Sequence, residues 1–307
     1  MPGTGLGVTH MHDHKRYIFG RRAVLAASLA VPACTAVAQG CARIADMPLR
    51  LVDGYPIVPG SILGQPVSFL LDTGAQGMLV TPGIADALRL PLRGMTRIYG
   101  TGGSQEARLV SLPGLRLGLG AGDAAMPAQI APVAPLPVDL RTDPPLAGLV
   151  GASLLARFDL DIDVPGGRLG LSIPGSCPPP AGTLLPLDVS RAGEPFVPVR
   201  INGQRLTALL DTGSRATLLT QSTARVLGLG APVSANTARG IDGERMALEH
   251  VRVRLGLGDE ADTATPVSIA ALKLDRGDML LGLDVLGRRR VWIGYAAGEV
   301  RLGPPAG

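Results

Sequence analysis

The sequence has few of the side chains that bind metals or activate nucleophiles. Only four histidines are present, and His10, His12 and His14 all lie close to the start of the chain. A metal site built from several histidines is therefore all but excluded from the rest of the chain. A Ser-His-Asp triad would have to use His250, and no Gly-x-Ser-x-Gly turn accompanies it. We expect His250 to be an ordinary strand residue at the surface.

Aromatic residues and net charge are also scarce. Aromatic side chains make up 3% of the chain, too few for platforms that stack nucleic-acid bases. The formal net charge is +4, but residues 1–38 contain four basic residues and one acid. The remaining chain has 25 basic and 24 acidic residues, so it offers phosphates no clustered positive surface. We predict no nucleic-acid partner.

Glycine and proline are abundant, with 42 and 27 residues among 307. Such a chain builds long helices poorly and short strands joined by turns readily. A hydrophobic fraction of 46% is ordinary for a folded protein. The composition therefore favours an all-β fold.

The first 38 residues have the pattern of an export signal. Basic residues from Lys15 to Arg22 precede an apolar run at 23–31, and Ala36-Val37-Ala38 fits a cleavage site. We expect a periplasmic or secreted protein with no membrane span in the mature chain. The paired arginines resemble a twin-arginine signal. An uncleaved anchor and a lipid-anchored form through Cys34 remain alternatives.

The rest of the chain contains the same pattern twice. Residues 56–90 read PIVPGSILGQPVSFLLDTGAQGMLVTPGIADALRL, and residues 195–229 read PFVPVRINGQRLTALLDTGSRATLLTQSTARVLGL. A constant offset of 139 residues aligns them without a gap. The likeness continues to two strand-like tails at 158–171 and 291–302. We infer a tandem duplication and predict a signal at 1–38, a first repeat at 39–178 and a second at 179–307.

Each repeat is predicted to be mostly strands with one or two short helices. Turn sequences at Gly64-Gln65 and Asn202-Gly203 predict hairpins. We expect the first strand to begin at Met47 and the second repeat at Thr183. The short helices are expected at 82–88, 152–157, 221–227 and 284–288.

The most informative motif is Asp-Thr-Gly, which occurs once in each repeat as Asp72-Thr73-Gly74 and Asp211-Thr212-Gly213. One copy alone is more typical of a turn. Here each copy ends an apolar strand, where a carboxylate is costly to desolvate unless it is hydrogen-bonded or functional. If a pseudo-twofold axis brought Asp72 and Asp211 together, the two carboxyls would share a proton. The ionised one could then activate a water, and the protonated one could polarise a carbonyl.

These motifs resemble the active-site loops of aspartic peptidases, and most closely those of the retropepsin-like branch with bacterial exported members. That family follows each motif with two apolar residues and a glycine, as do Leu149-Val150-Gly151 and Leu280-Leu281-Gly282. The resemblance covers residues 47–303. It implies two retropepsin-like β-barrel repeats packed as an internal pseudo-dimer, most simply a monomer. It requires no metal or organic cofactor.

The resemblance also implies a role for each motif residue. Asp72 and Asp211 would be the catalytic dyad, and Thr73 and Thr212 would hydrogen-bond across the pseudo-twofold axis. Gly74 and Gly213 would leave room for close backbone approach to the carboxylates. The positions that follow are held by Ala75 and Ser214, of which only Ser214 has a hydroxyl.

Two further features of the family are only partly matched. Glycine-bearing hairpins that would close over a substrate are candidates at 99–103 and 240–243, although both also fit ordinary surface turns. Viral members commonly have an arginine after the late glycine, whereas this chain has Ala152 and Leu283. That departure argues against a dimer-stabilising role of this position, and it does not affect the predicted dyad.

Other residues carry weaker hypotheses. Cys41 and Cys177 precede the expected starts of the two repeats by six residues each, and an exported protein can join them, so a disulfide and two free thiols are both open. Residues 100–103 lack the strand-helix context of a phosphate loop. Asp161 and Asp163 alternate with apolar residues, which favours a solvated strand face over a calcium site.

The sequence thus predicts an aspartic-type endopeptidase that hydrolyses an extended peptide or protein substrate with a water activated between Asp72 and Asp211. A catalytically silent peptide-binding protein of the envelope on the same fold is the main alternative. Pairing of like repeats between two chains, and hydrolysis of a non-peptide amide, are two others.

Overall fold

The computed structural model describes residues 40–100, 103–229, 235–239, 245–272 and 274–306. These residues form strands with four short helices and one turn of 3-10 helix. In the first repeat the elements are β1 (Arg43–Pro48), β2 (Arg50–Val52), β3 (Tyr55–Ile62), β4 (Gln65–Leu71), β5 (Leu79–Val80), α1 (Pro82–Ala87), β6 (Leu92–Gly100), β7 (Gly103–Leu112), β8 (Arg116–Leu117), η1 (Gly120–Gly122), β9 (Ala124–Ala125), β10 (Gln129–Pro132), β11 (Leu146–Val150), α2 (Ala152–Leu155), β12 (Asp159–Asp163) and β13 (Arg168–Ser172).

The described residues of the second repeat follow the same order with eleven strands instead of thirteen and without the 3-10 turn. It comprises β14 (Thr183–Pro186), β15 (Asp188–Val189), β16 (Pro195–Ile201), β17 (Gln204–Leu210), β18 (Leu218–Thr220), α3 (Gln221–Val226), β19 (Ala235–Arg239), β20 (Arg245–Leu257), β21 (Thr263–Ala270), β22 (Met279–Leu281), α4 (Leu283–Leu286), β23 (Arg290–Gly294) and β24 (Glu299–Leu302). The predicted all-β fold with two tandem repeats is confirmed. The first strand begins at Arg43 and not at Met47, because Arg43 already pairs with Ser172 of β13.

The second repeat contains a closed barrel of six strands. Its ladder runs β16-β17-β22-β18-β21-β20, and a further pairing of β20 with β16 closes the circle. The pairs β17–β22 and β18–β21 are parallel, and the other pairs are antiparallel. Strand β20 makes the closure possible because it runs without interruption for 13 residues and pairs with both β21 and β16.

The first repeat has the same plan in two separate sheets. Strands β5, β11, β4, β3, β8 and β9 form one sheet to which β2 is added, and β10, β7 and β6 form another. The equivalent of β20 is divided into β7 and β8 by Pro113-Gly114, where proline has no amide hydrogen and Gly114 has a φ of 62°. The sheet therefore breaks where the barrel of the second repeat continues.

The two repeats share one six-stranded sheet. Its order is β1-β13-β12-β23-β24-β14, so the two strand-like tails of the sequence meet where β12 pairs with β23. Three strands come from each repeat, in mirrored order about that central pair. This sheet binds the repeats side by side.

Asp161 lies in the middle of this shared sheet and is not solvated, contrary to the prediction of an exposed strand face. Asp161 is only 4% exposed to solvent. The carboxylate accepts two hydrogen bonds from Arg290, at 2.6 and 2.8 Å, and pairs with Arg168 at 3.1 Å and Arg43 at 3.3 Å. A carboxylate can be buried here because the arginines replace the water it loses. Asp163 is half-buried and accepts a hydrogen bond from the Gly166 amide.

Cys41 and Cys177 form a disulfide. It joins the chain just before β1 to the chain just after β13, two strands that already pair with each other. The bond therefore closes almost the whole first repeat into a loop with a sequence separation of 136 residues. Of the two alternatives open from the sequence, the bonded one is observed.

Most turns and helices lie where local sequence signals predict them. Both predicted hairpins form. The second turns at residues 202–203 as predicted, and the first turns at 63–64, one residue earlier than the predicted Gly64-Gln65. Leu63, Gly64, Asn202 and Gly203 all have positive φ angles. The four helices lie within one or two residues of their predicted positions. No helix among the described residues is long and apolar enough to span a membrane.

Candidate active site

Two equivalent strands deliver the two aspartates. Asp72 follows β4, and Asp211 follows β17. Each strand runs parallel to the strand that carries the late glycine motif, β11 or β22. The Asp72 amide donates to the carbonyl of Val150 at 3.1 Å, and the Asp211 amide donates to Leu281 at 3.0 Å. The predicted pairing of each Asp-Thr-Gly with its late glycine motif is confirmed.

The late glycines let the two loops approach closely. A Cβ at Gly151 would collide with the carbonyl oxygen of Gly77, and a Cβ at Gly282 would collide with that of Ala216. Gly77 and Ala216 follow the aspartates in their loops. A side chain at either glycine would therefore push an aspartate loop off its supporting strand.

Thr73 and Thr212 lock the loops of the two repeats together. The hydroxyl of Thr73 donates to the carbonyl of Leu210 at 2.6 Å and accepts from the Thr212 amide at 3.1 Å. The hydroxyl of Thr212 donates to the carbonyl of Leu71 at 2.7 Å and accepts from the Thr73 amide at 3.0 Å. Both threonines are buried, so this reciprocal network is shielded from water. The predicted contact across the pseudo-twofold axis is observed.

The aspartate carboxyls are held by the backbones of their own loops. Asp72 Oδ1 accepts from the amides of Gly74 at 3.0 Å and Ala75 at 2.9 Å. Asp211 Oδ1 accepts from Gly213 at 2.9 Å and Ser214 at 3.1 Å. Each carboxyl thus has one oxygen fixed in orientation.

The glycines of the two motifs bring the carboxyls together. A Cβ at Gly74 would collide with the carboxyl of Asp211, and a Cβ at Gly213 would collide with the carboxyl of Asp72. Each aspartate therefore lies against the loop of the other repeat. No residue with a side chain fits at either glycine without moving the opposite aspartate.

The two carboxyls are electrostatically coupled. Burial raises the pKa of Asp72, although hydrogen bonds from the Ala75 and Gly74 amides oppose the shift. Burial also raises the pKa of Asp211, and the charge of Asp72 raises it further. Because one ionised carboxyl disfavours ionisation of the other, the pair holds a proton to higher pH than an isolated aspartate would.

The positions that follow each motif differ between the repeats. The Ser214 hydroxyl donates to the carbonyl of Ala216 at 2.7 Å, so it stabilises its own loop and leaves the Asp211 carboxyl to the backbone amides. Ala75 has no such bond. After the late glycines, Ala152 and Leu283 are both buried at the start of a helix. An arginine does not fit there, and the shared sheet joins the repeats instead.

A second difference was not anticipated from the sequence. In the second repeat Asp284 accepts from the Thr217 hydroxyl at 2.7 Å and from the Thr217 amide at 3.0 Å. The same hydroxyl accepts from the Gly282 amide at 3.1 Å. Helix α4 is thereby fastened to the Asp211 loop. The aligned positions in the first repeat are Met78 and Ser153, and this mismatch between the repeats was the available signal.

The Asp211 loop also reaches the first repeat through Arg215. The guanidinium lies 5.1 Å from the centre of the Tyr55 ring, and one of its nitrogens donates to the carbonyl of Asp53 at 3.4 Å. Tyr55 is the first residue of β3. This contact links an active-site loop to the neighbouring repeat by a cation–π interaction.

The two hairpins predicted to close over a substrate, which we call flaps, are described only in part. Residues 99–103 belong to the hairpin of β6 and β7, which pair up to Gly100 and Gly103. Residues 101–102 at its tip and the second candidate at 240–243 lie outside the described residues. The strands on either side of the second candidate, β19 and β20, are paired antiparallel, as a hairpin requires.

The sequence left two other kinds of site to check, a histidine triad and a metal site. His250 is half-buried on β20, and its Nδ1 lies 2.9 Å from the hydroxyl of Ser268, which is itself 4% exposed. The prediction of a strand residue is therefore confirmed, with a side chain that is only partly exposed, and Ser268 is too enclosed to act as a nucleophile. In the described part of the chain, no group of three or more histidine, cysteine, aspartate or glutamate side chains is arranged to hold a metal ion.

In comparisons with known proteins, each repeat matches a different family model. The family model described as "Aspartyl protease" matches residues 58–154, and the one described as "gag-polyprotein putative aspartyl protease" matches residues 197–288. No curated protein matches the chain. Among solved structures, the crystal structure of Basic 7S globulin from soybean is similar, with 13% sequence identity and a TM-score of 0.48. That match covers 86% of this chain and 95% of that one.

Proposed function

Because the chain belongs to the retropepsin-like aspartic peptidase family and carries two repeats of it in one polypeptide, we propose that it is an aspartic-type endopeptidase. The observation that supports this most is the mutual contact of the two motifs, in which each glycine abuts the carboxyl of the other repeat. We assign Asp72 and Asp211 as the catalytic pair. Thr73, Gly74, Thr212 and Gly213 support it.

The reaction uses the shared proton of the pair. The ionised carboxyl takes a proton from a water molecule as the water oxygen attacks the carbonyl carbon of the scissile peptide. The protonated carboxyl gives its hydrogen to the carbonyl oxygen, which yields a tetrahedral diol. The carboxyl that gained the water's proton then delivers it to the leaving nitrogen. As the carbon–nitrogen bond breaks, a hydroxyl of the diol returns its proton to the other carboxylate, and the new carboxyl group forms. The aspartates return to one shared proton, and no covalent enzyme intermediate forms.

The substrate class rests on the likeness of both repeats to aspartyl proteases. An extended peptide would bind beside the two carboxyls through main-chain hydrogen bonds, as an added strand. We propose a peptide or protein substrate and a chain that acts as a monomer with an internal pseudo-twofold axis. The units of that arrangement are repeats 39–178 and 179–307.

We also propose that the protein acts outside the cytoplasm. The signal pattern at residues 1–38 supports export, and the disulfide between Cys41 and Cys177 fits an oxidising compartment. Expression with the signal followed by fractionation tests this directly. Recovery of the full-length chain, with reduced cysteines, in the cytoplasm would contradict it.

The activity is tested by cleavage of a diverse peptide mixture by residues 39–307 from acid to neutral pH. Asp72→Asn and Asp211→Asn are isosteric with the wild type, and both keep an oxygen for the backbone amides. We expect each to lower the rate by roughly 10³-fold or more, since general acid-base catalysis contributes about 10²–10⁴. Wild-type protein that is folded and cuts nothing would favour the silent peptide-binding alternative.

A further inference from the structure

The inner face of the first flap hairpin carries a polar group with no assigned role. Ile98 of β6 pairs directly with Gln105 of β7, so the two side chains lie on the same face of the hairpin. Ile98 packs against an apolar cluster under the flap. The neighbouring pair, Tyr99 and Ser104, lies on the opposite face, and Tyr99 is 76% exposed. Apart from the glycine pair Gly100–Gly103, Ile98 and Gln105 are thus the inward-facing described pair nearest the end of the hairpin.

The apolar cluster borders the catalytic carboxyl. We call it cleft cluster 1, formed by Ile57, Leu70, Leu79, Ala134, Leu140 and Leu149. Leu70 and Asp72 are two residues apart at the end of β4, so they point to the same side of the sheet. The intervening Leu71 points to the other side, into the main core. The cluster therefore lies next to Asp72 along β4, on the face opposite to the main core.

Two polar atoms around this cluster are buried without a partner. Gln105 Nε2 and Thr142 Oγ1 have no hydrogen bond to any residue that the structure describes. Thr142 lies in the segment between Leu140 and Leu146, both of which belong to or pack on cleft cluster 1. A buried amide or hydroxyl without a partner costs about 1–3 kcal/mol. A bound ligand that supplied a partner would recover that free energy.

The matching cluster of the second repeat is different. Phe196, Leu209, Leu218 and Leu280 form it, at positions that align with members of cleft cluster 1. Arg276 lies at its border. The guanidinium stacks on the Phe196 ring at 4.9 Å and forms an ion pair with Asp188, so it already has interaction partners within the protein. The two halves of the cleft therefore offer different chemistry, although the aspartates between them are equivalent.

We propose that Gln105, assisted by Thr142, is a specificity-determining residue; this inference rests on the proposed function. It selects a substrate side chain that ends in a neutral carboxamide, glutamine or asparagine, for the half of the cleft in the first repeat. The aliphatic part of that side chain packs on cleft cluster 1. Its amide oxygen accepts from Gln105 Nε2, and its amide nitrogen is free to donate to the Gln105 carboxamide oxygen. The second repeat takes an apolar side chain.

Neutral carboxamides fit this site better than charged groups do. The members of cleft cluster 1 are all apolar, so a charged end group that packed among them would lose its hydration. A purely apolar side chain would fill the space but leave Gln105 Nε2 unpaired. Sites built to hydrogen-bond a substrate discriminate strongly against analogues that lack the group.

The test measures binding, so that it does not depend on catalysis. Peptides with a reduced, non-cleavable bond between two central leucines are prepared with either glutamine or methionine at one of the flanking positions in turn. Their affinities for residues 39–307 are measured by calorimetry. We expect one position at which glutamine binds about 10-fold more tightly than methionine. Gln105→Met should abolish that preference, and Thr142→Val should reduce it.

A matched control and a second variant make the result specific. Ser104→Ala changes the outer face of the same hairpin and should leave the preference unchanged. Gln105→Glu keeps the size but replaces the donor with an acceptor, so lysine should become the preferred residue at that position. Thermal unfolding of each variant confirms that the fold is retained.

The outcomes separate this inference from the proposed function. Tight binding with no glutamine preference at any position, or a preference that survives in Gln105→Met, overturns the role of Gln105 and leaves the peptidase proposal intact. Failure of folded wild-type protein to bind any of the peptides contradicts both. Binding with the expected preference but no cleavage of ordinary peptides would support the role of Gln105 in a silent peptide-binding protein.

Discussion

The two repeats are alike at their aspartate loops and unlike around them. Both loops have the same backbone amide bonds to a carboxyl, the same threonine contacts across the axis and the same collision at glycine. Outside the loops, the second repeat is a closed barrel, whereas the first is divided at Pro113 and Gly114. The contact between the two carboxyls depends on the loops, and the supporting parts of the two repeats differ.

Each repeat is held rigid by a different device. The first is closed by the Cys41–Cys177 disulfide. The second has the Thr217–Asp284 contact behind its aspartate loop. Asp161 and its three arginines stabilise the sheet that both repeats share. These differences predict that matched substitutions in the two repeats will have unequal effects on stability.

The largest loss of stability is expected at the shared sheet. Asp161→Leu removes the carboxylate that faces three arginines, and loss of one member of a buried charge cluster costs about 3–5 kcal/mol. Because the arginines are partly exposed, we expect the lower end of that range, measured by urea unfolding. Asp163→Asn, two residues away on the same strand, is the control and should cost less. Equal losses for the two variants would show that the cluster does not join the repeats.

A loss of similar size is expected from the disulfide, which belongs to the first repeat alone. The double variant Cys41→Ser/Cys177→Ser should lower the free energy of unfolding by about 2–5 kcal/mol. Reductant should destabilise the wild type to a similar degree and leave the double variant unaffected. A wild type as stable with reductant as without it, after thiol titration has shown the bond to be broken, would contradict this assignment.

A smaller and more local effect is expected behind the Asp211 loop. Asp284→Ala leaves the Thr217 amide and hydroxyl without their acceptor, which should cost about 1–3 kcal/mol. Ser153→Ala is the matched change in the first repeat and should be nearly neutral, because no hydrogen bond of the Ser153 side chain is present among the described contacts. Hydrogen exchange would localise the difference to residues 211–217. A larger loss from Ser153→Ala would reverse the comparison.

The smallest expected effects concern the pH dependence of folding stability, and they have opposite directions for Asp211 and Asp161. Because the pKa of Asp211 is raised on folding, chiefly by burial, the carboxyl penalises the folded state once the pH rises above its unfolded pKa. Asp211→Asn should therefore match the wild type in acid and exceed it in stability at neutral pH.

Asp161 should behave in the reverse way. Burial alone would raise the pKa of Asp161, but the hydrogen bond and charge of Arg290, with the charges of Arg168 and Arg43, lower it. Its stabilising contribution is present above the unfolded pKa and is lost as the pH falls through the lowered folded value. The deficit of Asp161→Asn should therefore be greatest at neutral pH and shrink in acid. Parallel pH profiles for the Asp211 and Asp161 variants would contradict both assignments.

The sequence revealed the parts of this protein that are encoded locally or twice. Asp72 and Asp211 stand out because the same motif ends the same kind of strand in two aligned segments. Pro113 and Gly114 interrupt a strand in a way that local backbone chemistry explains. In contrast, Asp161 looks like an ordinary exposed strand residue, because the arginines that surround it come from three other strands of the sheet.

Contacts at the cleft were equally hard to foresee. Nothing in the residues around Arg215 indicates that it stacks on Tyr55, which lies in the other repeat. Gln105 is one polar residue in a strand of alternating character, and its lack of a partner depends on how the flap folds over cleft cluster 1. Such contacts depend on long-range packing, which a pattern along the chain does not encode.

The central claim is that one chain forms one site with an aspartate from each repeat. It is tested most directly by measuring the rate of peptide cleavage by Asp72→Asn, by Asp211→Asn and by an equimolar mixture of the two that has been unfolded and refolded together. We predict that all three samples are inactive while the wild type, treated in the same way, is active and monomeric. Near-full activity of either single variant, or recovery of activity in the mixture, would show that the site is assembled between chains.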